Sequence, residues 1–197
     1  GCSTGGHPGW NQKWRKPLRE ALDYLRDELS IIFEKEGEKY FKEDPWTVRN
    51  KYIDVILDRT ERVIKHFQDE YFLPELSDEE KVCGMELLEI QRQAMLMYTS
   101  CGWFFSEISG IETTQIMKYA ARAMQLAENF TDTNFEEKFL EILKDAQSNF
   151  KEYGTGKDIF ERFVKPSIVT TKQIASLWAI TSLYQDFDDE EDVYCYR

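Results

Sequence analysis

Apolar residues recur along most of the chain at the three- and four-residue spacing of an amphipathic helix. The first stripe begins near Pro17, whose fixed φ suits a first helical turn, and ends by Gly37. Later helix starts are marked by Asp, Ser and Thr, whose side chains accept hydrogen bonds from the first free N–H groups of a helix. The pattern predicts helices over seven segments: 17–37, 45–69, 77–100, 112–129, 133–153, 158–164 and 171–184.

These segments predict an all-α fold, a bundle of about six to seven helices in a single domain spanning 1–197. Residues 1–16 are predicted to form a Gly-rich irregular loop, and residues 17–185 the bundle. The second half of segment 77–100 is apolar on several sides, so we expect it at the centre of the bundle. Residues 186–197 are predicted to be an acidic loop followed by the start of a strand. Because a lone strand is unstable in water, we expect the chain to be a piece of a longer protein.

Charge narrows the classes of partner. The chain carries 37 acidic and 25 basic residues, a formal net charge of -12, which repels nucleic acid backbones and anionic membranes. We therefore predict neither as a partner, whereas a neutral sugar is not disfavoured. No run of about 18 apolar residues and no signal peptide is present, and the four cysteines are widely separated, which favours a cytoplasmic location. No cofactor and no metal site are predicted.

The first candidate site is the Gly-rich segment near the beginning of the chain. Its ring-bearing and polar side chains are typical of carbohydrate recognition, since aromatic faces stack on sugars and polar groups bond hydroxyls. The alternative is that the two tryptophans anchor the loop to the bundle. The candidates for substrate binding are His7, Trp10, Asn11, Trp14 and Arg15.

The second candidate site follows the very apolar segment 77–100. Trp103, Phe104 and Phe105 are consecutive, and helix neighbours lie about 100° apart, so at least one ring must point away from the core. Exposed rings beside Glu107 suit a ligand cleft or a domain interface. The alternative is a bundle end that another domain covers.

No catalytic residue is predicted. Glycoside cleavage with retention needs two carboxyl groups about 5–5.5 Å apart, in different environments. Glu107 and Glu112 lie near the aromatic run, but nothing in the sequence gives either a partner of that kind. A self-contained enzyme built on this pair ranks last among the hypotheses.

Two long stretches carry a resemblance to a known family. The opening "GCSTGGHPGWNQKWRKPLREALDYLRDEL" and the central "ELLEIQRQAMLMYTSCGWFFSEISGIETTQIMKYAARAMQLA" resemble the helical C-terminal region, a domain of unknown function, of bacterial family-57 glycoside hydrolases. These proteins are alpha-amylase or alpha-mannosidase relatives. The resemblance extends over most of the chain, from Gly1 to about Arg197.

The resemblance implies that a catalytic barrel precedes the helical region and supplies a Glu nucleophile and an Asp acid/base for retaining cleavage of α-glucans. The helical region would pack on that barrel and help to close the carbohydrate cleft, so this chain alone would be inactive. Trp103, Phe104 and Glu107 become the leading candidates for cleft lining, ahead of the Gly-rich segment. The competing hypothesis is a non-catalytic interaction module whose exposed aromatic residues dock a partner domain.

Overall fold

The computed structural model of the protein describes residues 7–184, and regular structure in that range is helical apart from two isolated β-bridges. The all-α prediction is confirmed. A turn of π-helix, Phe160–Val164, directly follows the short α-helix Gly156–Ile159. In chain order the α-helices are α1 Arg15–Gly37, α2 Pro45–Lys51, α3 Ile53–Leu57, α4 Glu61–Tyr71, α5 Asp78–Leu96, α6 Cys101–Phe104, α7 Ile111–Ala127, α8 Phe135–Leu143, α9 Gly156–Ile159 and α10 Thr171–Thr181.

The chain divides into two compact units, Gly1–Pro166 and Ser167–Arg197. Within the described residues, the first unit contains α1 to α9 and the second contains α10. The second unit exposes several large apolar side chains, among them Trp178 and Ile180. The assignment of 1–197 to a single domain stays a prediction, and the predicted acidic loop and strand of residues 186–197 lie outside the described residues.

The core of the first unit is built around α1 and α7. One face of α1 is fully buried and contacts α5 and α8, while α7 contacts α1, α5, α6 and α8. Ala120 and Ala123 on α7 are buried, and such small side chains let neighbouring helices approach closely. α5 packs against both α1 and α7 and buries Leu88 and Ile90, while Met95 near its end is exposed. Its place at the centre of the bundle stays a prediction.

The predicted helix over 45–69 is divided into α2, α3 and α4. The break before α4 occurs at Asp58, which has extended backbone dihedrals. Its carboxylate Oδ1 accepts a hydrogen bond from the backbone N–H of Thr60, at 3.0 Å. Aspartate side chains compete for backbone donors in this way, so the local bond replaces a helical one.

The predicted helix over 133–153 is also shorter, because α8 ends at Leu143. Its N-terminal cap is Asn134, whose Oδ1 accepts from the N–H of Glu137, one residue after the start of the predicted segment at Thr133. Residues 144–155 form a loop closed by backbone bonds, among them one from the N–H of Ser148 to the carbonyl of Gly154, at 3.0 Å. Segment 77–100 likewise ends early, at Leu96.

A half-buried carboxylate, that of Glu89, joins α5 to the α2–α4 region. Glu89 Oε1 accepts hydrogen bonds from Tyr52 Oη and from an Arg59 terminal nitrogen, both at 2.6 Å. Its Oε2 accepts from Arg92 at 3.1 Å. Burial raises the pKa of Glu89, but the bonds from Tyr52 and Arg59 outweigh it, and the net effect lowers the pKa below its ordinary value of 4.5.

Replacing Glu89 with glutamine is expected to reduce the dependence of the free energy of unfolding on pH in the acidic range. A carboxyl group with a lowered pKa binds fewer protons when folded than when unfolded. Its stabilisation is therefore complete above pH 4.5 and declines as the pH falls through the folded-state pKa. Urea unfolding between pH 7 and pH 3 should show a smaller loss for Glu89→Gln than for the wild type. Equal pH slopes would contradict this account.

The two cysteines in the described residues, Cys83 and Cys101, are free thiols. Cys2 and Cys195 lie outside that range. Among residues 7–184, no cluster of three or more His, Cys, Asp or Glu side chains is arranged to hold a metal ion. No helix in the described part of the chain is long and apolar enough to cross a lipid bilayer.

Candidate functional site

The two predicted candidate segments meet at one end of the first unit, together with a third segment from the loop after α8. The carbonyl oxygen of Ser106 accepts hydrogen bonds from Trp14 Nε1 at 3.1 Å and from Asn149 Nδ2 at 2.8 Å. Asn149 also pairs with the backbone of Asn11, accepting from its N–H at 2.9 Å and donating to its carbonyl at 3.0 Å. Sequence reasoning missed the contribution of Asn149, since no local pattern links it to the other two segments.

Glu107 lies beneath this junction and is only 8% exposed. Its Oε1 accepts from the Ser148 hydroxyl at 2.6 Å and from the Ser109 N–H at 3.1 Å. Its Oε2 accepts from the Asn149 N–H at 2.9 Å. The carboxylate therefore holds the loop after α8 against the turn after α6. We correct its predicted role from lining the cleft to positioning that loop.

Trp14 is the N-cap residue of α1 and is 1% exposed, so neither face of its indole is open to a ligand. The Arg15 guanidinium lies 5.4 Å from its ring centroid. This position agrees with anchoring, the alternative considered for the tryptophans, and not with stacking on a sugar. We therefore correct the role of Trp14 from direct contact to support.

Arg15 ties the start of α1 to the end of α6. One terminal nitrogen donates to the carbonyl oxygens of Phe104 and Phe105, at 3.2 and 3.0 Å. The other donates to Gln12 Oε1 at 2.6 Å. Because the last carbonyls of a short helix lack intrahelical partners, the guanidinium supplies donors that fix the backbone of both phenylalanines. Through these bonds Arg15 positions the two phenylalanine rings. Direct contact of Arg15 with a sugar stays a prediction.

In the aromatic run after α5, not every ring points into the core. This agrees with the prediction from the 100° separation of helix neighbours, which requires at least one exposed ring. Phe104 and Phe105 are 50% and 49% exposed, with ring centroids 5.1 Å apart in an edge-to-face arrangement. Trp103 is half-buried, and Arg19 lies 5.9 Å from its ring centroid.

A second group of rings lies across the Ser106 junction. His7 stacks on Trp10 at 4.3 Å between centroids, and Trp10 meets Phe150 edge-to-face at 4.9 Å. His7 and Phe150 are exposed, and Trp10 is half-buried. Asn11 is exposed, and its Oδ1 accepts from the N–H of Lys13 at 2.9 Å. Phe150 was missed because segment 133–153 was predicted to be helical.

We call five of these residues the aromatic rim. They share exposed or half-buried rings on segments that the Asn11, Ser106 and Asn149 hydrogen bonds hold together. Chemically, the aromatic rim offers apolar ring faces and edges with backbone and amide groups between them. Such a surface can stack against a ligand but contains no arrangement of two reactive acids. The aromatic rim consists of His7, Trp10, Phe104, Phe105 and Phe150.

The aromatic rim depends on a close contact between α6 and α7. Gly102 is buried, and the Thr113 hydroxyl donates to its carbonyl at 2.9 Å. A Cβ atom at position 102 would lie 2.5 Å from Cγ2 of Ile116, a distance that real Cβ atoms do not reach. Any side chain here must therefore displace the Ile116 side chain or move α6 away from α7.

Replacing Gly102 with alanine is expected to lower the free energy of unfolding by about 1–3 kcal/mol, the usual cost of overpacking. Ile116→Ala removes the clashing atoms, so Gly102→Ala should cost much less in that background. A double-mutant cycle followed by urea unfolding measures this coupling. Additive effects of the two substitutions would contradict the proposed contact.

Comparison with known protein families gives a match, whereas comparison with individual proteins does not. No curated protein and no solved structure is similar enough to the chain to count as a match. A family model described as "Domain of unknown function (DUF3536)" matches residues 10–197, which include every candidate residue named above except His7. The chain therefore belongs to the DUF3536 family.

Proposed function

We propose that this chain is an accessory helical domain of an α-glucan-acting glycoside hydrolase of the family-57 type. In this proposal it packs on a catalytic barrel of the same parent chain and lines the carbohydrate cleft with its aromatic rim. The enzyme class rests on the sequence resemblance, since the DUF3536 family carries no assigned function. The observation that supports a binding role is the exposed Phe104–Phe105 pair, fixed by Arg15.

Fixed, exposed rings are suited to a weakly polar ligand such as a glucan. The apolar CH face of a pyranose packs against an aromatic ring, while its hydroxyls need polar partners at the edges. Because hydrogen bonds already hold the backbone under these rings, binding would cost little further conformational entropy. Asn11 is exposed beside Trp10 and supplies an amide for hydroxyl groups.

Chemistry would come from the barrel and not from this chain. Glu107 accepts hydrogen bonds from three neighbouring groups and serves to position a loop. The proposed contribution of this domain is therefore substrate binding alone, and the isolated chain is expected to have no hydrolase activity.

The proposal predicts that the chain binds maltoheptaose weakly, with a Kd on the order of 1 mM, since only one wall of the cleft is present. Saturation-transfer NMR detects binding of this strength. The Phe104→Ala/Phe105→Ala variant should lose most of the signal. Leu57→Ala, which removes a 78% exposed apolar side chain from α3, is the matched control and should bind as the wild type does.

Absence of binding by the folded wild-type chain at tens of millimolar maltoheptaose, or equal binding by the double variant, would reject the proposal. Circular dichroism and thermal unfolding of each variant verify that its fold is intact. The oligosaccharides cellohexaose and maltoheptaose, compared at equal concentration, show whether binding depends on the α-linkage.

A docking role is the second candidate, and one observation favours it. Ile111 at the start of α7 is 77% exposed, and like the two phenylalanines it is apolar. An interaction module would use these side chains to bury apolar area against a partner domain. It predicts no binding of maltoheptaose, together with protection of Phe104 and Phe105 from solvent in the longer parent protein.

A further inference from the structure

A second group of side chains adjoins the aromatic rim along α1. Arg19 lies one helical turn after Arg15, and its guanidinium carbon is 4.6 Å from the ring centroid of Tyr98 and 5.9 Å from that of Trp103. Trp103 immediately precedes Phe104 in the aromatic rim. Arg19 therefore lies where α6 and the segment between α5 and α6 meet α1.

Asp23 completes this group one turn further along α1. Its Oδ1 accepts from Tyr98 Oη at 2.7 Å, from Arg26 at 2.8 Å and from Arg19 Nε at 3.0 Å. Its Oδ2 accepts from Arg19 Nε at 3.2 Å. Burial, together with the bond to Asp23, raises the pKa of Tyr98, so the phenol remains a donor and fixes the carboxylate. We call Arg19, Asp23, Tyr98 and Trp103 the Arg19 cluster.

Donors and acceptors of the Arg19 cluster remain for a ligand. The side chains of Arg19 and Asp23 are 54% and 35% exposed. Among the hydrogen bonds between described residues, Arg19 uses only its Nε, so its two terminal NH₂ groups keep their donors. Asp23 Oδ2 has one protein donor and can accept a further bond.

We propose that the Arg19 cluster is a subsite for the vicinal hydroxyls of a glucan residue. This proposal rests on the function proposed above. The Arg19 terminal groups donate to one hydroxyl, Asp23 Oδ2 accepts from the adjacent hydroxyl, and the sugar ring lies towards Trp103. The cationic and anionic side chains of this surface balance, because Arg19 and Arg26 are paired with Asp23 and Asp27. A neutral diol fits that balance better than an anion does.

The Arg19 cluster adds polar contacts that the aromatic rim lacks. The rim supplies stacking surface, and stacking alone discriminates poorly among sugars. A guanidinium and a carboxylate held 3.0 Å apart bond two hydroxyls only when these are adjacent and correctly oriented. The subsite would therefore fix the register of a glucan chain along the rim.

The test compares maltoheptaose affinity of the 197-residue wild type with that of Arg19→Met. Met keeps much of the apolar stem and removes every donor. We expect affinity to fall about tenfold, equivalent to ~1.4 kcal/mol, and Asp23→Asn to cause a similar loss. Lys16→Met is the matched control, because it removes an 82% exposed cation from the preceding turn of α1, and it should bind as the wild type does.

The outcomes separate the two proposals. If the wild type binds maltoheptaose, the Phe104→Ala/Phe105→Ala variant does not, and folded Arg19→Met binds normally, the subsite is rejected while the proposed function stands. If the wild type does not bind, both are rejected. Titration with inorganic phosphate is a further arm: phosphate binding that Arg19→Met abolishes, with no change in sugar affinity, would identify an anion site and overturn the diol assignment.

Discussion

Replacing Trp14 with alanine is expected to lower the free energy of unfolding of the first unit by about 3–5 kcal/mol. The indole is 1% exposed and belongs to the N-cap residue of α1, so its loss leaves a cavity beneath the segment that carries Trp10. The Ser106 carbonyl would also lose its indole donor. Urea unfolding followed by circular dichroism measures the change.

Trp14→Phe separates packing from hydrogen bonding. It keeps an aromatic ring but removes Nε1–H, and Asn149 still donates to the Ser106 carbonyl, so we expect a cost of about 1–2 kcal/mol. Phe105→Ala, which truncates a half-exposed ring at the same end of the unit, should have little effect on unfolding. If Trp14→Ala were as mild as Phe105→Ala, the tryptophan would not be the anchor described here.

Replacing Glu107 with alanine is expected to cost about 2–4 kcal/mol, because it leaves the Ser109 N–H, the Asn149 N–H and the Ser148 hydroxyl without their acceptor. The loop after α8 should loosen, and amide hydrogen exchange in residues 148–150 should accelerate. Sugar affinity should fall as well, since Phe150 of the aromatic rim belongs to that loop.

Two variants control this prediction. Glu107→Gln retains one carbonyl acceptor and should lose roughly half as much stability. Glu112→Ala removes a nearby carboxylate from the first turn of α7 and should leave exchange in residues 148–150 unchanged. Unaltered stability and exchange in Glu107→Ala would mean that the carboxylate does not hold the loop.

Helix positions followed from sequence where local periodicity and capping decide them. α1, α5 and α7 begin within about two residues of the predicted starts, because their buried faces repeat at helical spacing. The break at Asp58 and the loop after Leu143 could not be predicted from the sequence. The first depends on a side-chain bond that competes with the helix, and the second on Glu107, about 40 residues away in sequence.

The candidate site was foreseen in part, for a related reason. Composition located the aromatic residues, but it cannot distinguish a buried anchor such as Trp14 from a half-buried ring such as Trp10. That difference is set by contacts between distant segments, for example the pairing of Asn11 with Asn149 across 138 positions. Phe150 was missed for the same reason. In the Arg19 cluster the aromatic run pointed to Trp103, but no local pattern linked it to Arg19, or Tyr98 to Asp23.

The central claim, that the aromatic rim meets sugar while Trp14 supports it from below, is tested most directly by the indole N–H signals in ¹⁵N–¹H NMR spectra during maltoheptaose titration. The signals are assigned from single Trp→Phe variants. The account predicts that the signals of Trp10 in the aromatic rim and of Trp103, which adjoins it in the Arg19 cluster, shift with the sugar and follow one binding curve, while the Trp14 signal stays in place. Indole signals that all remain still at tens of millimolar sugar, or a Trp14 shift as large as that of Trp10, would contradict it.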